Sequence, residues 1–169
     1  GFVFSLKAHR FSTVRKTKED MRKSIDLCLG QGITQLKDKL GPINWQFPPT
    51  RKFEREYFDM FLSVLPKEKD KVRLRHALEV RHPSCSDPVF LELLTKHGAT
   101  VVYAEDDVFP KIRHDGSDFA VARLMQTGDA LQMMFKGDQI RALPARGMGL
   151  VHAVVPRDQM VQAAKEWLK

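Results

Sequence analysis

The sequence predicts an α/β fold: parallel strands joined by crossover helices, with a short α/β tail. Two observations carry this. Short stretches with apolar residues at every second position alternate with longer stretches of helical period. Turn residues separate them, and that alternation implies strands laid parallel in one sheet. A third observation places the chemistry. Leu74 to Pro83, read as LRHALEVRHP, has an apolar face of Leu74, Leu78 and Val80, broken by His76. Its other face carries Arg75, Ala77, Glu79 and Arg81, so it ends in a carboxylate and a guanidinium two residues apart. In parallel α/β folds that strand end is where ligands bind.

The chain opens in a strand. Phe2, Phe4 and Leu6 share one face, and Val3, Ser5 and Lys7 the other. Because it starts inside a strand, residues upstream are expected. His9, Arg10 and Arg15 follow in a loop. Thr17 with Asp20 predicts a capped helix start, and Met21, Ile25, Cys28, Leu29, Leu36 and Leu40 carry the helical period to about Lys39. Gly30 and Gly32 weaken its middle. Gly41-Pro42 is read as its stop. Ile43, Trp45 and Phe47 then form the inner face of a strand whose outer face is Asn44 and Gln46. Pro48-Pro49 ends it. Phe53 to Leu65 is an amphipathic helix closed by Pro66.

After the Leu74 strand, Ser86 or Asp87 caps a helix with Pro88 as first residue. Val89, Phe90, Leu93 and Leu94 are its buried side, and Gly98 is its C-cap. Thr100 to Glu105 is continuously apolar, which suits a strand covered on both faces. Val108 to Ser117 is loop, and Asp118 to Leu124 the next strand, bearing Arg123. Beyond about Leu131 the character changes. A short helical piece at Gln139 to Arg146, a strand at Leu150 to Val155 and a helix from Pro156 are predicted.

Composition bounds the function. The chain has 169 residues, 43% apolar and 29% charged, enough for a globular core. No apolar run reaches membrane-spanning length, and no signal-peptide pattern opens the chain, so a cytoplasmic protein without a membrane partner is expected. The net charge of +7 permits anion binding. It sits mainly in Arg15–Lys23 and Lys67–Lys71, which mix signs, as solvated faces do. The aromatic residues follow core periodicities, so nucleic acid is not the expected partner. Cys28 and Cys85 are in no metal spacing and read as idle thiols. With no glycine-rich phosphate loop and no metal-ligand cluster, no metal and no cofactor is predicted.

Several strands thus end in a polar group of shared parity: Lys7, Gln46, Glu79, Arg81 and Arg123. They are expected around one mouth. Lys7, Arg81 and Arg123, with Gln46, suit a carboxylate or phosphate ligand. Glu79 is a candidate general base, or orients Arg81. His9, His82 and Asp106 offer further acid–base groups, or a metal site with Glu79; an ordinary loop histidine is the plainer reading.

Five stretches carry a resemblance: FVFSLKAHRFSTVRK at 2–16, LGPINWQFPPTRKFE at 40–54, ALEVRHPS at 77–84, VYAEDD at 102–107 and DFAVARL at 118–124. Residues 1–130 resemble the YecE-like family, domain of unknown function seventy-two, whose expected fold is a TIM-type (β/α) barrel. The family's opening strands have no counterpart here, so the resemblance implies a partial barrel lacking its first strands. Its arginine strand usually runs into a histidine and glycine, where this chain has Met125-Gln126. The family lends no settled activity, and whether the chain is an enzyme is left open. Residues 131–169 are similar instead to the C-terminal part of a crotonase (enoyl-CoA hydratase/isomerase) domain, through Gly137-Asp138, Gly149-Leu-Val and Val154-Val-Pro156. None of that family's catalytic groups carries over. Three functions are therefore expected in competition. They are a barrel protein binding an anionic small molecule, an inactive junction of two incomplete domains, and a nucleic-acid-binding module. Exposed strand edges would favour oligomers.

Overall fold

The structure is a computed structural model, and it describes residues 3–104 and 108–123. Five strands form one curled, parallel sheet, as the alternation predicts, and its half-barrel form is the partial barrel that the family resemblance implies. They are β1 (Phe4–Lys7), β2 (Leu40–Gln46), β5 (His76–Glu79), β6 (Thr100–Ala104) and β7 (Val121–Arg123), in that spatial order. Between them run α1 (Lys18–Leu29), α2 (Arg55–Ser63) and α3 (Pro88–His97). A two-stranded antiparallel hairpin, β3 (Glu68–Lys69) and β4 (Val72–Arg73), precedes β5. The chain divides into two compact units, residues 1–122 and 123–169. The expected tail helices and strand, with Phe2 and Asp106, lie outside the described residues.

The core lies between the sheet and the helices. Ile43, Trp45 and Phe47 alternate with half-buried Asn44 and Gln46, as a strand with one covered face requires. Phe47 meets α2 edge-on at Phe61 and tilted at Phe58, with ring centroids 5.1 and 5.0 Å apart. Phe90 of α3 closes on Phe58 at 5.1 Å. Such offset contacts suit the aromatic quadrupole and add to the burial of these large side chains. Asp59 of α2 accepts from Lys96 at 2.9 Å and His97 at 2.7 Å, tying α2 to α3. Both cysteines are free, and burial pushes the Cys85 thiol up to about 11, leaving it an inert core residue.

Three expectations need correction. The helix from Thr17 stops at Leu29 rather than near Lys39. Gly32 at φ 79 breaks it, and Ile33–Lys39 is 3₁₀ with Lys37 at φ 48 and ψ −120. Gly41-Pro42 does not stop a helix; both residues lie inside β2. A Cβ on Gly41 would stand 2.8 Å from the Phe4 carbonyl oxygen, where β1 and β2 slip register. Only glycine lets the two backbones approach so closely. The long Leu74 strand is only four residues, because Leu74 is held by the Lys67 carbonyl beside the hairpin. That hairpin had no sequence signal. Its turn is Asp70-Lys71, without glycine, and its strands show no apolar alternation.

The caps follow the sequence closely. Thr17 Oγ1 accepts from the Asp20 amide at 3.2 Å and donates to its carboxylate at 2.8 Å. Asp87 accepts from the Val89 amide at 2.8 Å with Pro88 behind it, and Gly98 closes α3 at φ 69.

Candidate functional site

The site is built where β2 and β5 run side by side. Their register pairs Asn44 with Ala77 and Gln46 with Glu79. Paired residues share a face, so both amides stand on the side of Glu79, away from the helices. Lys7 continues that face, paired with Asn44 across β1 and β2.

Glu79 is buried, at 1% exposure. A carboxylate there needs partners for each oxygen. Oε2 accepts from Asn44 Nδ2 at 2.9 Å. Oε1 accepts from Gln46 Nε2 at 2.9 Å and from Arg81 Nη2 at 3.1 Å. The Arg81 guanidinium also lies over the Phe109 ring, 4.7 Å from its centroid. Arg81 is thus fixed on two sides while its side chain stays 25% exposed. Its Nε and the Asn44 Oδ1 are buried with no hydrogen-bond partner among the described residues.

The loop after β1 borders the same strand ends. Thr13 Oγ1 donates to the Gln46 carbonyl at 2.8 Å, and the Tyr57 hydroxyl donates to the Thr13 carbonyl at 2.9 Å. These bonds seat a 3₁₀ turn, Arg10–Thr13, beside β2. Phe11 on that turn is 47% exposed, with Arg10 and Arg15 over its ring at 5.3 and 5.6 Å. In the loop after β2, Arg51 lies over Tyr57 at 4.0 Å. Phe11 and Arg51 were not singled out in the sequence. Their single positions, outside any period, carry no signal until the loops are folded.

His9 and His82 hold a structural place. Each accepts a backbone N–H through Nδ1 at the start of a 3₁₀ turn: His9 from Phe11 at 3.4 Å, His82 from Ser84 at 3.1 Å. Neither is joined to Glu79 by a described contact, and no cluster of three metal-ligating side chains occurs among the described residues. His76, which interrupted the apolar face, is buried in the core. Its Nδ1 accepts from Trp45 Nε1 at 3.1 Å, so its Nε2 carries the proton given to the Pro66 carbonyl at 2.8 Å. Burial pushes its pKa down, and the ring is held neutral.

The structure therefore brings Gln46, Glu79 and Arg81 into direct contact and adds Asn44, which the sequence reading left on the polar face without a role. Lys7 shares the face but no described bond joins it to the cluster. Arg123 closes β7, half-buried, and opens the second unit. Chemically, the arrangement offers a preorganised guanidinium backed by a buried carboxylate that three side-chain donors hold in place.

Comparison with known proteins follows the same lines. The sequence model of DUF72, a protein family of unknown function, matches residues 1–160. The match therefore continues through most of the stretch likened to crotonases, and no comparison supports that likeness. Among curated proteins, none matches the chain. A crystal structure of a DUF72 family protein from Thermotoga maritima is similar in fold, with TM-score 0.57 and 19% identity over 99% of this chain. One from Enterococcus faecalis has TM-score 0.51 and 17% identity over 88% of this chain. The chain covers 61% and 56% of those two proteins, so it corresponds to somewhat over half of each.

Proposed function

The chain belongs to the DUF72 family, and on that premise we propose that it binds an anionic small molecule at the C-terminal strand ends, chiefly through Arg81. One observation carries the reading. The buried Glu79 carboxylate, engaged by Asn44 and Gln46, holds the Arg81 guanidinium in place while part of that side chain stays open to solvent. A fixed guanidinium fork matches carboxylate or phosphate oxygens and loses little freedom on binding. Lys7, on the same face, adds positive charge. Glu79 is a positioning residue in this account. It is buried and points its oxygens at three protein side chains, whereas a general base must face the substrate.

Calorimetry with phosphate, sulfate and simple sugar phosphates tests this. Arg81→Ala is expected to weaken binding about tenfold or more, the worth of a charge-assisted hydrogen bond. Glu79→Gln is expected to weaken it too, because the guanidinium loses its anchor. Unchanged affinity in Arg81→Ala, in a folded sample, would remove the proposal.

A second reading has its own observation. Phe11 is exposed and flanked by two guanidiniums, the combination on which single-stranded nucleic acid stacks. Binding to random single strands that weakens steeply with salt and is lost in Phe11→Ala would favour it.

A further inference from the structure

At the N-terminal ends of β2 and β5, opposite Arg81, lies a cleft of about 620 Å³. Four cationic side chains line it against three carboxylates. One of those carboxylates is ion-paired and one is hydrogen-bonded to a neutral hydroxyl, so the lining keeps a surplus of a single positive charge. Asp118 is paired with Arg73 at 2.7 Å, and Asp70 accepts from the Thr34 hydroxyl at 2.7 Å. Arg75 gives one N–H to the Leu40 carbonyl at 3.2 Å and lies 5.9 Å from the centroid of Phe119, which walls the cleft. Lys37 and Lys71 have no ion-pair partner among the described residues. The charge left over is positive.

The backbone adds an independent sign. Lys37, Asp70 and Lys71 are the non-glycine residues at positive φ among those described, at 48°, 50° and 63°. All three line this one cleft. Lys71 occupies the second place of a two-residue hairpin turn, where glycine is favoured. Lysine is not among the residues that tolerate this region well. Strain of this kind clusters at sites that use it. Here it costs stability and sets two ammonium groups on the rim of the cleft.

We propose that this cleft is a second anion site, taking a compact phosphorylated small molecule with its phosphate on Lys37, Lys71 and Arg75 and its less polar part against Phe119. It is independent of the Arg81 site, and either can fail without the other.

The test uses a Lys37→Gly/Lys71→Gly double variant, with inorganic pyrophosphate as probe. Glycine relieves the strain, so the melting temperature without ligand is expected to hold or rise. Pyrophosphate titrated into isotopically labelled protein should shift the amides of residues 37, 71 and 75 in the wild type. In the double variant the affinity read at residue 75 should fall about tenfold, as two lost charge contacts allow. Arg81→Ala should leave this response as it is in the wild type. The proposal is overturned if wild-type amides of the cleft do not shift, a result that needs no variant. It is equally overturned if the double variant binds as tightly as wild type.

Discussion

At the scale of single residues, the polar members of the strands divide into two kinds, and their surroundings decide which is which. His76 and Glu79 lie three residues apart on one buried strand. His76 faces the helices and closes a hydrogen-bonded bridge from Trp45 to Pro66. Glu79 faces away and fixes Arg81. Parity alone made that division legible, since a residue's face follows from its position in the strand. What each polar side chain meets was not legible, because Pro66 and Phe109 arrive from distant loops. His76 carries a pH prediction. Its pKa is depressed in the fold, so the unfolded chain takes up the proton first. Its stabilising contribution is full above the ordinary value of 6.5 and falls as pH drops below it. Urea unfolding between pH 7.5 and 5.5 should show stability falling with acid, by at most about 1.4 kcal/mol per pH unit for one proton. His76→Gln should be less stable at pH 7.5 and show a smaller slope. An equal slope in the variant would assign the dependence to other groups.

At the scale of elements, caps and periodic faces were readable and exceptions to them were not. Thr17, Asp87, Pro88 and Gly98 stand where their chemistry ends or begins a helix. Gly41 was misread because Gly-Pro is an ordinary helix stop, while here it serves a close crossing of two strands. The two glycines give contrasting predictions. At Gly98 nothing lies within 4 Å of an added Cβ, so Gly98→Ala meets only the positive φ and should cost about 1–2 kcal/mol. At Gly41 the added Cβ meets the Phe4 backbone, which cannot swing aside as a side chain would. Gly41→Ala should therefore cost more than Gly98→Ala and raise amide hydrogen exchange in β1 selectively. Equal cost at both positions would mean that the β1–β2 seam yields without penalty.

At the scale of the whole molecule, the parallel sheet with its crossover helices was legible from alternation because each strand-helix pair repeats the same physical problem of covering one apolar face, while its barrel curl came only from the family resemblance. The positive charge was legible as a total but not as a pattern. Of the run Lys67–Lys71, read as a solvated face, residues 68–69 pair with β4, and Lys71 faces a cleft.

The sheet's outermost described strand gives the last prediction. β1 pairs with β2, and its first residue Phe4 is 48% exposed, although by parity it belongs to the apolar face; Val3, just before the strand, is 41% exposed. Exposed apolar residues on a terminal strand favour association with another copy or another chain. The net charge of +7 opposes that by mutual repulsion, more weakly as salt screens it. Association should therefore grow with ionic strength, the reverse of phosphate-driven binding. Sedimentation velocity at about 0.05 and 0.5 M salt, spanning Debye lengths from above 10 Å to below 8 Å, reads this directly. A larger weight-average mass at high salt is expected, and Phe4→Lys should abolish the increase while leaving anion binding at Arg81 intact. A mass that falls with salt, or that Phe4→Lys leaves unchanged, would place self-association elsewhere on the surface.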